Sequence, residues 1–497
     1  MADLNEPIQI LWFKRDLRLD DHAPLDEASK SGLPTLLVYL FEPILLGDNH
    51  YGDRHWRFVW QSLREMQQKL ESYRIPLYVI VSDVIPFLEK LGQRYQVERI
   101  LSHQETGIAT TYERDKQVAT WCKDRGIEWK EFQTNAVFRG LNHRDDWRKR
   151  WNRVMFADQQ HPDLKSLVPV HLDETWLQSI QTGKVKEVWK KNSEFFQGGG
   201  SEKGWELLYS FVAERGKMYN KHISRPQESR ESCSRLSTHI TWGNLSIRQV
   251  FQYIRQHYQD SNFKRSLKSF ESRLRWHCHF IQKFETEPRI EFENLNRGYS
   301  DIRTEKNEAF ITAWKTGKTG FPLVDATMRC LIETGYINFR MRAMLVSFLT
   351  HHLWQDWRHG SLHLARQFLD FEPGIHYAQF QMQAGTLGPN SVRVYNPVKQ
   401  SKDHDEEGMF IKKWVPELSD IPAKQVHTPW ELSEMEQEMY NCRIGRDYPG
   451  RLVDHKKTYK EANRVLWGKK KEPKVREEND RIMKVHVKQR NRRRKRG

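Results

Sequence analysis

The run Cys233-Ser234-Arg235-Leu236-Ser237-Thr238 sets a thiol, three hydroxyls and a guanidinium just ahead of a helical pattern. Helix amides and side-chain donors so placed favour an anion such as phosphate, and the same residues also make an ordinary helix cap. A second group, Asn338-Phe339-Arg340-Met341-Arg342, precedes Asp370-Phe371-Glu372 by one helical stretch. Arg342 and Asp370 are expected to meet as an ion pair that either supports a cofactor or only ties two helices together. Trp314, Trp354 and Trp357 lie in helical or helix-flanking segments, where such a stripe is core packing or an electron path. His351-His352 invites a metal, yet neighbours on a helix point about 100° apart and no carboxylate spacing accompanies them, so no metal is assigned. Neither a Gly-rich phosphate loop nor a G-x-S-x-G elbow occurs, which argues against nucleotide hydrolysis and α/β-hydrolase chemistry.

The elements that must position these residues fall into two classes. Over residues 1–140 short apolar runs alternate with amphipathic ones: Ile8–Phe13, Thr35–Phe41, Leu77–Val81 and Arg99–Ser102 read as buried parallel strands. Trp56–Tyr73 and Tyr112–Arg125 read as helices between them, which predicts a doubly wound α/β domain. No G-x-G-x-x-G follows the first strand. Residues 141–200 lose the pattern, contain Pro162 and Pro169, and close on Gly198-Gly199-Gly200-Ser201, a connector between domains. Residues 201–467 are helical in period, with long stretches at Ser246–Tyr258, Phe270–Phe284, Leu323–Glu333 and Phe339–Arg358, which predicts a larger all-helical domain.

The 497 residues hold 81 Lys plus Arg against 65 Asp plus Glu, a net charge of +16 that points to an anionic partner such as nucleic acid. From Gly468 onward, fourteen basic residues face four acidic ones, so +10 belongs to residues 468–497 and +6 to the rest. That basic stretch, with RNRRRKR at 490–496, reads as a disordered, solvated tail that adds phosphate affinity or serves as a localisation address. Five scattered cysteines without C-x-x-C spacing exclude a disulfide framework and a thiolate cluster. The opening apolar run is too short for a signal peptide or a membrane span, which predicts a cytoplasmic protein.

In order along the chain, LWFKRDLRLDD (11–21), TGKTGFPLVDATMR (316–329), YNPVKQ (395–400) and WVPEL (414–418) resemble the motifs of the photolyase/cryptochrome family. The resemblance implies an α/β antenna domain, a helical domain that binds FAD, and blue-light electron transfer that splits pyrimidine dimers in UV-damaged DNA by a monomer. Photolyases are among the enzymes that flip the target base out of the stack. It further implies that Tyr219, Cys233, Ser234, Arg235, Leu236 and Ser237 contact the flavin phosphates, with Cys233 where Thr is usual. Arg342, Asp370, Phe371 and Glu372 then surround the isoalloxazine ring, and a fixed guanidinium there stabilises an anionic flavin. Arg225, Arg340 and Gln400 match DNA-facing positions, and Trp276 matches the ring that packs on the flipped pyrimidines.

Several positions depart from the pattern. Arg273 stands where dimer photolyases place Glu, Phe339 where they place Asn, and Ala343 where they place Met. His376 aligns with the residue facing the central-ring nitrogen and is expected to titrate near neutral pH. Trp314 and Trp357 match the distal and middle members of an electron-carrying tryptophan triad, but the proximal member is Phe380. The expectation is slow flavin photoreduction or a detour through Trp354 or Tyr377. Thr110 and Thr111 replace the Asn-Glu that holds a folate, so a second, antenna chromophore is left as a deazaflavin, a lumazine or none. These departures make a cryptochrome-like photoreceptor the alternative reading.

Overall fold

A computed structural model describes residues 7–258, 262–390 and 392–487, so the run 490–496 lies outside the described residues. Five parallel strands, β1 (Pro7–Phe13), β2 (Thr35–Phe41), β3 (Leu77–Val81), β4 (Gln96–His103) and β5 (Glu128–Phe132), form one sheet in the order β3-β2-β1-β4-β5. β2, TLLVYLF, is buried along its whole length, as a central parallel strand covered on both faces must be. β5, EWKEF, escaped the sequence reading because it is a charged edge strand, the kind that discourages further pairing. The two expected helices run Asp53–Glu71 and Ala109–Asp124. The order reverses between β2 and β4 on either side of β1, which places a topological switch point at the carboxyl ends of β1 and β4.

The segment 141–200 is more ordered than the connector expected there. Trp147–Phe156, Glu174–Ile180 and Glu187–Lys190 are helices, and Trp147 and Trp151 pack into the core of the helical half. Backbone bonds from Thr35 N to Val168 O and from Val170 N to Thr35 O pin its middle to β2.

The helical half is as expected except in one stretch. The continuous helix over Phe339–Arg358 is instead a helix Phe339–Ser347, a wider turn Phe348–His352, a break and a helix Arg358–Gln367. Trp354, in the break, adopts a left-handed backbone (φ 53°) that a helix does not tolerate. The basic stretch from Gly468 is not a free tail over its described part. The helix His455–Lys469 ends at its start, and a further helix, Pro473–His486, buries Val475 and Ile482. Val475 sits so close to Gly298 that a Cβ there would lie 2.6 Å from its Cγ2. The sequence showed charge, and the apolar residues spaced seven apart on one face decided the structure. Among the described residues no helix is long and apolar enough to cross a membrane.

The halves are tied through backbone carbonyls. Arg54, on the helix Asp53–Glu71, donates to Leu331 O, Ile332 O and Gln367 O, His55 Nε2 donates to Phe368 O, and Arg15 Nη2 donates to Phe371 O. Leu331 and Ile332 lie in the last turn of Pro322–Thr334, and Gln367 ends Arg358–Gln367, so the α/β half caps helices of the other half.

Candidate functional site

Arg215 fixes the loop 233–238 from behind, its Nη1 donating to Cys233 O at 2.6 Å and Glu231 O at 2.7 Å. Tyr219, Cys233 and Leu236 are buried in the core beside Phe211 and Phe270, and burial pushes the Cys233 thiol up to about 12, so it stays neutral. Arg273 is exposed on the helix Lys264–Thr286. Ser237 and Arg235 are the half-buried members of the loop. Arg235 holds a left-handed backbone (φ 61°), its guanidinium carbon lies 3.8 Å from the Tyr336 ring centre, and its Nε is buried with no partner. A strained non-glycine residue with an unpaired buried donor is a common signature of a ligand site.

Arg342 and Asp370 do meet, Nη2 to Oδ2 at 2.7 Å and to Oδ1 at 2.8 Å. The guanidinium is held flat by Ile337 O and by the Phe368 ring, 3.9 Å from its centre. Two residues on, Glu372 is engaged by Arg15 of the α/β half at 3.2 Å, leaving its Oε1 buried and unpaired. Phe371 stacks on His50 with ring centres 5.3 Å apart.

The expectation that His376 titrates near neutral pH is corrected. Its Nε2–H donates to Ser361 O at 2.9 Å among Phe371, Tyr377 and Phe380, and burial pushes the imidazole down to about 3. Of the tryptophans, Trp357 is buried against Tyr377 (6.0 Å) and Phe380 (6.4 Å). Trp314 is wholly enclosed, its ring neighbour is His363 at 5.9 Å, and its indole N–H donates to Leu345 O. A terminal hopping site needs an edge in solvent, which Trp314 lacks.

On the surface, Trp276 is 50% exposed and stacked on Phe280, and Phe339 is 50% exposed. Arg340 and Gln400 come together in a groove of about 370 Å³ with Arg393, Tyr395, Lys399 and Tyr459. Nearby His404 feels Arg340, Arg225 and Lys399, so the Arg225 side joins the same positive field. Sequence reading passed over Arg393 and Lys399 because isolated cations carry no local signal; only the fold gathers them.

A second cavity, about 360 Å³, opens at the carboxyl ends of β1, β4 and β5. Lys14, Arg15, Asp16, His103, Glu105 and Arg248 are among the residues around it. Lys14 Nζ and two Arg15 nitrogens are buried there without hydrogen-bond partners. Asp16 Oδ2 accepts from His22 Nε2 (2.8 Å) and His103 Nδ1 (2.7 Å), which orients the His103 ring on the cavity wall. The signal available in the sequence was KRD directly after the first strand, at the switch point where open α/β sheets bind ligands. Thr110 and Thr111 turn to Asp48 and to Ile108 O.

Comparisons agree with this geometry. Residues 9–157 match the family model described as DNA photolyase, and residues 270–468 the one described as FAD binding domain of DNA photolyase. The chain is 28% identical to a deoxyribodipyrimidine photo-lyase of Alkalihalophilus pseudofirmus over 92% of its length and 97% of that protein. It is 27% identical to a cryptochrome DASH of Synechocystis sp. over 90% and 95%. The fold superposes on a Synechocystis cryptochrome with a TM-score of 0.81 at 24% identity, covering 92% of this chain and 99% of that one. It superposes on a Sulfolobus tokodaii photolyase solved with two FAD molecules with a TM-score of 0.75 at 25% identity, covering 93% and 99%. An α/β sheet domain joined to a helical FAD-binding domain, matched by both family models and along nearly its full length by these relatives, makes this chain a member of the photolyase/cryptochrome family.

Proposed function

We propose that the protein is a FAD-dependent, light-driven lyase that repairs UV-induced pyrimidine dimers in DNA. The residues present fit FAD: the unpaired Arg235 donor and its strained backbone suit a phosphate, and the Arg342–Asp370 pair suits a polar ring edge. When bound, FAD supplies light absorption and one-electron chemistry. Arg342, held by Asp370, offers fixed positive charge, and His376, neutral, offers none.

The observation that carries the repair reading is Trp276, half exposed on the Lys- and Arg-rich helix Lys264–Thr286. A large ring left in water suits stacking on an extruded base, worth ~1–3 kcal/mol per base. Arg225, Arg340 and Gln400, with Arg393 and Lys399, supply phosphate contacts, which position the duplex without reading its sequence. Arg273 presents fixed charge and hydrogen-bond donors where a Glu would have a proton to give. The cavity at the strand ends is the place for a second, antenna chromophore, with Lys14 and Arg15 as donors toward an anionic ring.

The photoreceptor reading is favoured by Arg273, which stands where dimer photolyases place Glu and has no proton to give. One assay separates the two. Reduced protein with bound FAD, illuminated with blue light on oligonucleotides carrying either dimer type, is expected to restore intact pyrimidines. FAD binding without restoration of either dimer supports the photoreceptor.

A further inference from the structure

We propose that Tyr377, His50 and Asp48 form a proton-coupled redox site: Tyr377 yields an electron to light-excited oxidised flavin while its phenolic proton passes to His50. The proposal rests on the FAD reading of the helical half. It concerns the position opposite the missing ring at Phe380, where the family pattern alone leaves the route open.

The geometry is a three-membered hydrogen-bonded chain across the domain junction. Tyr377 lies on the helix Pro373–Ala384 of the helical half, and His50 and Asp48 lie in the α/β half just before the helix Asp53–Glu71. The Tyr377 hydroxyl is 2.5 Å from His50 Nε2, and His50 Nδ1 is 2.6 Å from Asp48 Oδ1. A carboxylate only accepts, so Nδ1 carries hydrogen, Nε2 of the neutral ring is bare, and the phenol is the donor. Asp48 is itself fixed by the His50 N–H and by Thr110 Oγ1, and Glu291 Oε1 lies 3.9 Å from Nε2. Two carboxylates therefore stand ready to balance an imidazolium.

The ring also touches the right neighbours. Tyr377 is 5.3 Å from His376, 6.0 Å from Trp357 and 6.0 Å, stacked, from Phe284. Burial raises the phenol, so it is neutral before any light arrives. Among the described residues it is the tyrosine whose hydroxyl is hydrogen-bonded to an imidazole.

The competing rings are electrostatically worse. A cation radical on Trp354 would face the buried Arg303 guanidinium, 4.8 Å from its ring centre, and one on Trp357 would face Arg358 at the same distance. The Trp357 N–H donates to the neutral amide of Asn294, which is no base. Phe380 has no acidic proton to shed. Tyr377 alone can lose charge and proton together.

The step balances. Tyr377 loses one electron to the light-excited flavin, which is the oxidant and is reduced by one electron. The phenolic O–H bond breaks, an N–H bond forms at His50 Nε2, and the products on this chain are a neutral phenoxyl radical and an imidazolium paired with Asp48.

The test uses the full chain with oxidised FAD, frozen after a blue flash and read by electron paramagnetic resonance. A tyrosyl spectrum that narrows with ring-deuterated tyrosine and disappears in Tyr377→Phe is expected. In His50→Gln, radical formation should slow at least tenfold and lose its H2O/D2O rate ratio at unchanged FAD content, which a merely structural His50 would not produce. Nitrogen NMR of the ligand-free chain gives a reading independent of flavin: a neutral Nδ1–H tautomer of His50 whose Nε2 shift changes in Tyr377→Phe. An indolyl radical of full yield in the wild type, or an unchanged signal in Tyr377→Phe, overturns the proposal while leaving FAD binding intact. A purified chain that takes up no FAD overturns the underlying reading instead.

Discussion

Arg15, in the loop after β1, reaches across the domain junction to place Nη2 3.2 Å from Oε2 of Glu372 and 2.8 Å from the carbonyl of Phe371. The same guanidinium lies over the Trp242 ring. Burial raises the Glu372 carboxyl, Arg15 opposes the rise, and the pair thus sets the charge next to the Arg342–Asp370 pair.

Breaking this pair from one side should be costly. Arg15→Met leaves a buried carboxylate without its cation, and about 3–5 kcal/mol of stability is expected to be lost in urea unfolding. The double variant Arg15→Met/Glu372→Gln removes both charges and should recover most of that loss. Equal midpoints for the single and double variants would show that the pair contributes nothing.

The helix Pro473–His486 is expected to release on mild acidification. Burial pushes His486 down to about 4, its Nε2–H donates to Glu287 Oε1, and its Nδ1 is buried without a partner. A lowered histidine favours the fold above its unfolded value of about 6.5 and loses that contribution as pH falls toward 4. Glu287 follows later: burial opposes it, but His486 and Arg481 hold it at about 2, so its share is lost from about pH 4.5 downward. Hydrogen exchange of 473–486 should therefore accelerate between pH 6.5 and 4 in the wild type. In His486→Gln the acceleration should begin only below about pH 4.5.

Trp276→Ala and Arg340→Ala should weaken binding to dimer-containing duplex in different ways. Loss of stacking costs ~1–3 kcal/mol, roughly 5- to 150-fold, without changing the salt dependence. Loss of a phosphate contact reduces the slope of log affinity against log salt by about one. Fluorescence anisotropy at several salt concentrations reads both, and equal slopes for wild type and Arg340→Ala would remove Arg340 from the phosphate contacts.

Asp325 explains why the TGKTGFPLVDATMR segment is so recognisable. It is fully buried and accepts from Thr319 N, Thr319 Oγ1, Gly320 N and the Tyr448 hydroxyl. Gly320 has φ 77°, and a Cβ there would meet Gly450 O at 2.4 Å. Asp325→Ala strands these donors and should cost at least ~3 kcal/mol or prevent soluble expression. Asp325→Asn should cost less, and equal stability of both with the wild type would contradict this role.

Local pattern carried much of the fold. β1, β2 and β3 are apolar runs too short for a helix, and the meeting of Arg342 with Asp370, 28 residues apart, was expected from opposite charge and from the family resemblance. The α/β plus helical division needed no more than the change of period near residue 200. What stayed illegible depends on distance in the chain. His50 and Tyr377 are 327 residues apart, and nothing in either neighbourhood marks the other. His376 misled because a histidine's titration is set by what encloses it, here four aromatic rings and a carbonyl. The basic C-terminal stretch misled because total charge outweighs, to the eye, two buried aliphatic residues that decide where a helix docks.

The caps that cross between the halves bear on how such a chain can be recombined. Grafting a foreign α/β half onto residues 201–487 would strip partners from five carbonyls, those of Leu331, Ile332, Gln367, Phe368 and Phe371. Two of these, Phe368 and Phe371, flank Asp370, the partner of Arg342. The α/β half and the helical FAD-binding half are thus inherited as one piece: a lineage can retune the cavity at the strand ends, but it cannot exchange that domain wholesale without also re-evolving Arg15, Arg54 and His55.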